Sequence, residues 1–148
     1  MKADRISSDP HWVDAILDWR ITWFAVRIAL VSAYLFGGLV KLSDIPAAIA
    51  EQERFGLSPG WLWAYLTIAV ELLGSTLVIS GRWVWLGAGA LGVLTAIAAL
   101  AANRFWTSTG TERMMSANTF LEHLGLIAGF VLVALVAAHS GQRSQKSY

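Results

Sequence analysis

Two ionisable residues stand inside otherwise apolar stretches of this sequence: Arg27 within residues 21–40, and Glu71 near the middle of residues 61–80. A charge inside a membrane-crossing helix costs on the order of 2.5–3.5 kcal/mol on insertion scales, so each is expected to have a partner. At about 1.5 Å per residue, Arg27 lies roughly 9 Å in from one end of its stretch. Glu71 lies roughly 14 Å from the same side in a stretch that runs the other way. An arginine side chain covers much of that gap, and the two are expected to pair. Such a pair either fixes helix register or lines a polar pocket for a headgroup, a quinone or a proton.

Helical spacing extends the polar face. Arg27, Val31, Tyr34, Gly38 and Lys41 follow the i, i+4, i+7 rule, and so do Thr67, Glu71, Gly74 and Ser75 on the second stretch. Lys41, Glu122 and His123 form a second expected polar layer near the opposite side, with Glu51, Arg54 and Arg104 in adjoining connectors. An imidazole there either titrates, hydrogen-bonds a quinone carbonyl, or is simply solvated. The expected pocket residues are therefore Arg27, Tyr34, Lys41, Glu71, Glu122 and His123. No metal site is expected: Glu122 and His123 need a third ligand, for which only Glu51 offers itself. Haem b needs two histidines at one depth, whereas His123 and His139 are about 24 Å apart along one helix. The dinucleotide fingerprint, the phosphate loop, HExxH and a Ser-His-Asp arrangement do not occur in usable context.

The elements that position these residues follow from composition. The 148 residues are 56% hydrophobic and only 14% charged. Soluble domains reach roughly 45–50% apolar even with glycine counted. Four nearly charge-free segments, at about 21–40, 61–80, 83–102 and 119–138, each match the roughly 20 residues that cross a bilayer core. The fold class is thus all-α: a polytopic membrane protein, a bundle of four transmembrane helices with short interfacial helices. Zero cysteine excludes disulfides, thiolate metal sites and thiol exchange by this chain. A net charge of +1 argues against a broad nucleic-acid surface.

Residues 1–20 are polar and too acidic for a signal peptide. Asp9-Pro10 is expected to open a helix, with Asp9 as N-cap. Trp12, Val13, Ile16, Leu17 and Trp19 then gather on one side, as in a helix lying on the membrane surface. Gly81-Arg82 is a tight turn that makes the second and third spans antiparallel neighbours. Pro46 fits the first turn of a short interfacial helix reaching Arg54. Residues 103–118 form the other long connector, with a capping-box pattern at Thr109–Glu112. Gly125 and Gly129 have the spacing of a close helix contact. All eight tryptophans lie at or just beyond span ends, at headgroup depth. Residues 139–148 read as a polar, unstructured tail. Lys2, Arg5, Arg20, Arg82, Arg143 and Lys146 outnumber Lys41, Arg54, Arg104 and Arg113, which favours cytoplasmic termini.

The order of several motifs resembles the DoxX family of small four-helix membrane proteins. They are an arginine early in the first span, then Phe36-Gly37-Gly38-Leu39-Val40-Lys41-Leu42, then Glu71 followed by Leu72-Leu73-Gly74. Phe105-Trp106 and the stretch from Phe120 to Gly129 add to the match. Asn103 stands where the family often has histidine, and His123 where it has asparagine. The resemblance implies a bacterial inner-membrane protein related to a subunit of an archaeal thiosulfate:quinone oxidoreductase, with Arg27, Lys41 and Glu71 as the functional core. It suggests a membrane subunit or anchor of a quinone-linked or thiol- and oxidative-stress redox system, with an oxidoreductase partner and quinone as the candidate cofactor. Two other readings stay open: a small proton-linked transporter working as a homo-oligomer, and a structural membrane module without chemistry of its own.

Overall fold

The computed structural model describes residues 10–103 and 105–145, and every element among them is an α-helix. The helices are α1 (His11–Asp18), α2 (Arg20–Ser43), α3 (Ile45–Arg54), α4 (Gly60–Ser80), α5 (Val84–Ala102) and α6 (Gly110–Gln145). Four of them, α2, α4, α5 and α6, are long and apolar enough to cross a membrane. The shortest, α5, has 19 residues, which span about 28 Å against a hydrocarbon core of about 30 Å. Apolar side chains such as Phe36, Leu73, Val93 and Leu132 point outward, as a lipid-facing surface requires.

Tight joints set the packing order. Gly81 turns α4 into α5 at φ +73°. That left-handed conformation suits glycine, and a Cβ there would meet Arg27 Nη1 at 2.7 Å. Trp83, the residue before α5, is also left-handed, at φ +53°. Further in, α4 and α5 touch backbone to backbone: a Cβ on Gly87 would lie 2.6 Å from the Gly74 carbonyl oxygen. Helices in lipid associate through such small residues. Helix α2 packs on the other flank of α4, and α6 packs mainly on α5. Helix α6 reaches α2 through Phe130, whose ring meets Tyr34 edge-on with centroids 5.4 Å apart.

The molecule is polarised along its axis. Val31, Val78, Val84, Ala88, Leu91, Phe130 and Val133 form an apolar core in the half nearer the α4–α5 turn. The other half is covered by α3, which Asp44 caps by accepting from the Ala47 N–H at 3.0 Å, with Pro46 in the first turn.

The connector expected at 103–118 is shorter, because α6 already begins at Gly110; residues 110–118 are polar but contain nothing that breaks a helix. The same helix continues to Gln145, where an unstructured tail was expected. Pro10, not Asp9, occupies the N-cap position of α1. Asp9, Lys2, Arg5, Arg104 and Lys146 lie outside the described residues. Of the expected glycine pair on α6, Gly129 approaches Leu30, whereas Gly125 faces open space.

Candidate functional site

The site begins with an ion pair between α2 and α4. Lys41 Nζ donates to Glu71 Oε1 at 3.0 Å and to Oε2 at 3.3 Å. Their side chains are only 18% and 10% exposed. Side chains on a helix lean toward its N-terminus, so Lys41 sweeps back over Gly37. A Cβ at Gly37 would lie 3.4 Å from Nζ and 3.6 Å from both carboxylate oxygens. The missing side chain thus leaves the seat in which the pair sits. Gly38 lets α4 come closer still, since a Cβ there would stand 2.8 Å from Leu72.

One turn deeper, Tyr34 meets Thr95 of α5 at 2.6 Å. Thr95 gives its own hydroxyl proton to the Leu91 carbonyl at 2.6 Å. A hydroxyl has one proton, so the phenol is the donor in the Tyr34–Thr95 bond. These groups line a cavity of about 130 Å³ enclosed by α2, α3, α4 and α5. Its apolar wall includes Leu94, Ile97, Ala98 and Trp63. Its polar wall holds Lys41, Glu51, Gln52, Thr67 and Glu71.

Gln52 and Thr67 stand out within that wall. Each residue is 6% exposed, and both line the cavity; their polar ends are not sealed off, since the fully buried side-chain atoms without a partner among the described residues are Arg27 Nε, Ser75 Oγ and Asn103 Nδ2. Buried polar side chains in folded proteins are overwhelmingly hydrogen-bonded. Gln52 and Thr67 therefore offer their polar groups to whatever fills the cavity, a polar ligand or bound water.

The expected site residues separate into three places. Tyr34, Lys41 and Glu71 come together in the cavity. Arg27 does not pair with Glu71: it lies against Gly81 at the far end of α4, about 15 Å of helix rise from Glu71. Helix α2 is 24 residues long and overhangs the end of α4, so counting both spans from a common plane placed Arg27 too deep. Glu122 and His123 lie on α6, away from the cavity lining; Glu122 accepts from Asn118 at 2.6 Å, and His123 Nδ1 meets the Thr119 carbonyl at 2.7 Å. Among the described residues no group of three His, Asp or Glu side chains could hold a metal. Gln52 and Thr95 were not anticipated, whereas Thr67 was expected on the polar face of the second span beside Glu71, though not among the pocket residues. The available signal for Gln52 was its position four residues after Ala48, on the one buried face of α3.

A protein-family model described as DoxX matches residues 22–104, more than half of the chain and nearly all of α2 to α5. The stretch from Phe120 to Gly129 lies outside that match. No curated protein and no solved structure matches the chain.

Proposed function

The chain belongs to the DoxX family, and on that premise we propose that it is a membrane subunit or anchor of a quinone-linked redox system. Its cavity takes the ring of a quinone-class ligand. The observation that carries this reading is a mostly apolar cavity that Gln52 and Thr67 line beside the Lys41–Glu71 ion pair. Size agrees with it: the cavity volume of about 130 Å³ is near the roughly 150 Å³ of a protein cavity that accepts one benzene ring.

The residues fit a ring that carries carbonyl oxygens. The Gln52 amide, the Thr67 hydroxyl and the third N–H of Lys41 are donors for such oxygens. Glu71 holds the Lys41 ammonium in place. Thr95 fixes the Tyr34 phenol, whose oxygen keeps a lone pair for an O–H donor. Trp63, Leu94 and Ile97 supply apolar walls, and α3 closes the cavity on its polar side. A quinone bound there would supply two-electron, two-proton carrier chemistry. The chain has no cysteine, so any thiols that exchange electrons with the quinone belong to an oxidoreductase partner. On this reading the protein resides in a bacterial plasma membrane with both termini cytoplasmic.

The test is extraction in mild detergent, followed by analysis of co-extracted lipids and proteins. Quinone is expected at near-stoichiometric levels in the wild type. Gln52→Leu removes one neutral hydrogen bond and is expected to lower retention about five- to tenfold. Tyr34→Phe keeps the ring and is expected to have a smaller effect. Absence of both quinone and an oxidoreductase partner from the extract overturns the reading.

A further inference from the structure

The end of the molecule opposite the cavity holds a second group of charges that the redox reading does not use. Arg20 and Arg27, seven residues apart on α2, share a groove of about 380 Å³ with Trp23, Phe24, Ile79 and Ser80. No acidic residue lines it. Neither arginine has an ion-pair or hydrogen-bond partner among the described residues, and Arg27 Nε is buried without one.

Arg27 is not committed to capping the helix end beside it. Two of the terminal carbonyls of α4 are met within the helix end, where the Gly81 N–H donates to Val78 O at 3.3 Å and Ser80 Oγ donates to Leu77 O at 3.0 Å, and Arg27 makes no hydrogen bond to the others among the described residues. The negative end of the α4 dipole favours a cation nearby, but it accounts for one arginine at most and leaves the buried Nε unsatisfied. The groove also lies level with the exposed Trp19 and Trp83, which mark headgroup depth. Guanidinium groups match phosphate oxygens two at a time, and Trp23 and Phe24 present apolar surface beside them.

We propose that this groove binds the phosphate of an anionic phospholipid from the surrounding leaflet, with Arg27 and Arg20 as its ligands and Trp23 and Phe24 against the glycerol and upper acyl chain. The site is independent of the redox reading and stands or falls separately from it.

Native mass spectrometry of the detergent-purified protein, titrated with phosphatidylglycerol or phosphatidylcholine, tests the proposal. Wild type is expected to retain phosphatidylglycerol in preference to phosphatidylcholine. At the strength typical of a basic side chain near anionic lipid, Arg20→Gln and Arg27→Gln each weaken retention about fivefold, and the double variant about twenty-five-fold. Arg27→Lys recovers part of the loss. Arg54→Gln, on α3 at the other end, leaves retention unchanged. Arg27 packs against the α4–α5 turn; if Arg27→Gln loses helicity by circular dichroism, the exposed Arg20→Gln carries the test. Wild-type retention in Arg20→Gln, or equal binding of the two lipids, overturns the proposal. So does inorganic phosphate that displaces the lipid at equal concentration, because the site then serves free phosphate.

Discussion

Breaking the Lys41–Glu71 pair tests both halves of the argument, its contribution to the fold and its place in the ligand site. The charges lie 3.0 Å apart with little exposure. At an effective dielectric of about 20 their gross attraction is about 5.5 kcal/mol, set against the desolvation of both groups. Lys41→Met alone leaves a carboxylate without a counterion, and Glu71→Leu alone leaves an ammonium in the same position. Removing one partner of a buried pair costs about 3–5 kcal/mol. Replacing both with apolar residues of similar volume is commonly neutral or stabilising. Reversible unfolding in mixed micelles, read by tryptophan fluorescence, should therefore show two strongly destabilised single variants and a double variant within about 1 kcal/mol of wild type. Quinone retention is the second readout. A pair that lines the ligand site predicts a double variant that is stable but empty. A double variant that recovers both stability and quinone removes the pair from the site and leaves it a packing device. A single variant within about 0.5 kcal/mol of wild type, the usual range for surface changes, refutes the burial argument itself.

Two further outcomes follow from the packing. Gly87→Ala places a methyl 2.6 Å from the Gly74 carbonyl oxygen, where backbone cannot yield; α4 and α5 must separate, at a cost of about 1–3 kcal/mol, whereas Gly89→Ala enters open space and should unfold like wild type in the same micelle assay. Asp44→Ala removes the cap of a ten-residue helix and should cost about 0.5–2 kcal/mol, read as faster amide exchange across α3 with α4 unchanged.

Hydropathy and punctuation made the membrane core legible. The bounds of α4 and α5 fall within a residue of those expected, because Gly60-Trp61 and Gly81-Arg82 mark where apolar sequence stops. Helix α3 was legible from Pro46 and the polar run that ends at Arg54. Helix α6 was legible only in part: the capping-box pattern at Thr109–Glu112 marks its start, but hydropathy marks the bilayer and not the helix. Residues 110–118 are too polar for lipid yet fully compatible with a helix that continues into water, so the helix begins nine residues before the expected span.

The site was legible by residue type and misread by pairing. Glu71 needed a cation, and both Arg27 and Lys41 lie on the face of α2 that meets α4. Depth was counted from span ends as though all helices began in one plane, and that favoured arginine; the overhang of α2 reverses the choice. The chemistry of the two cations fits where each one lies. A lysine ammonium is a compact point charge that fits the narrow seat over Gly37, where a planar guanidinium fork would need more room. A guanidinium is more weakly hydrated and presents five donors, so it suits a groove at headgroup depth that contains no carboxylate. An exchange of the two side chains would thus put the bulkier group against Glu71 and the less forked donor against the groove. The two ends of α2 are built for different anions: an internal carboxylate at one, and an external one supplied by the membrane at the other.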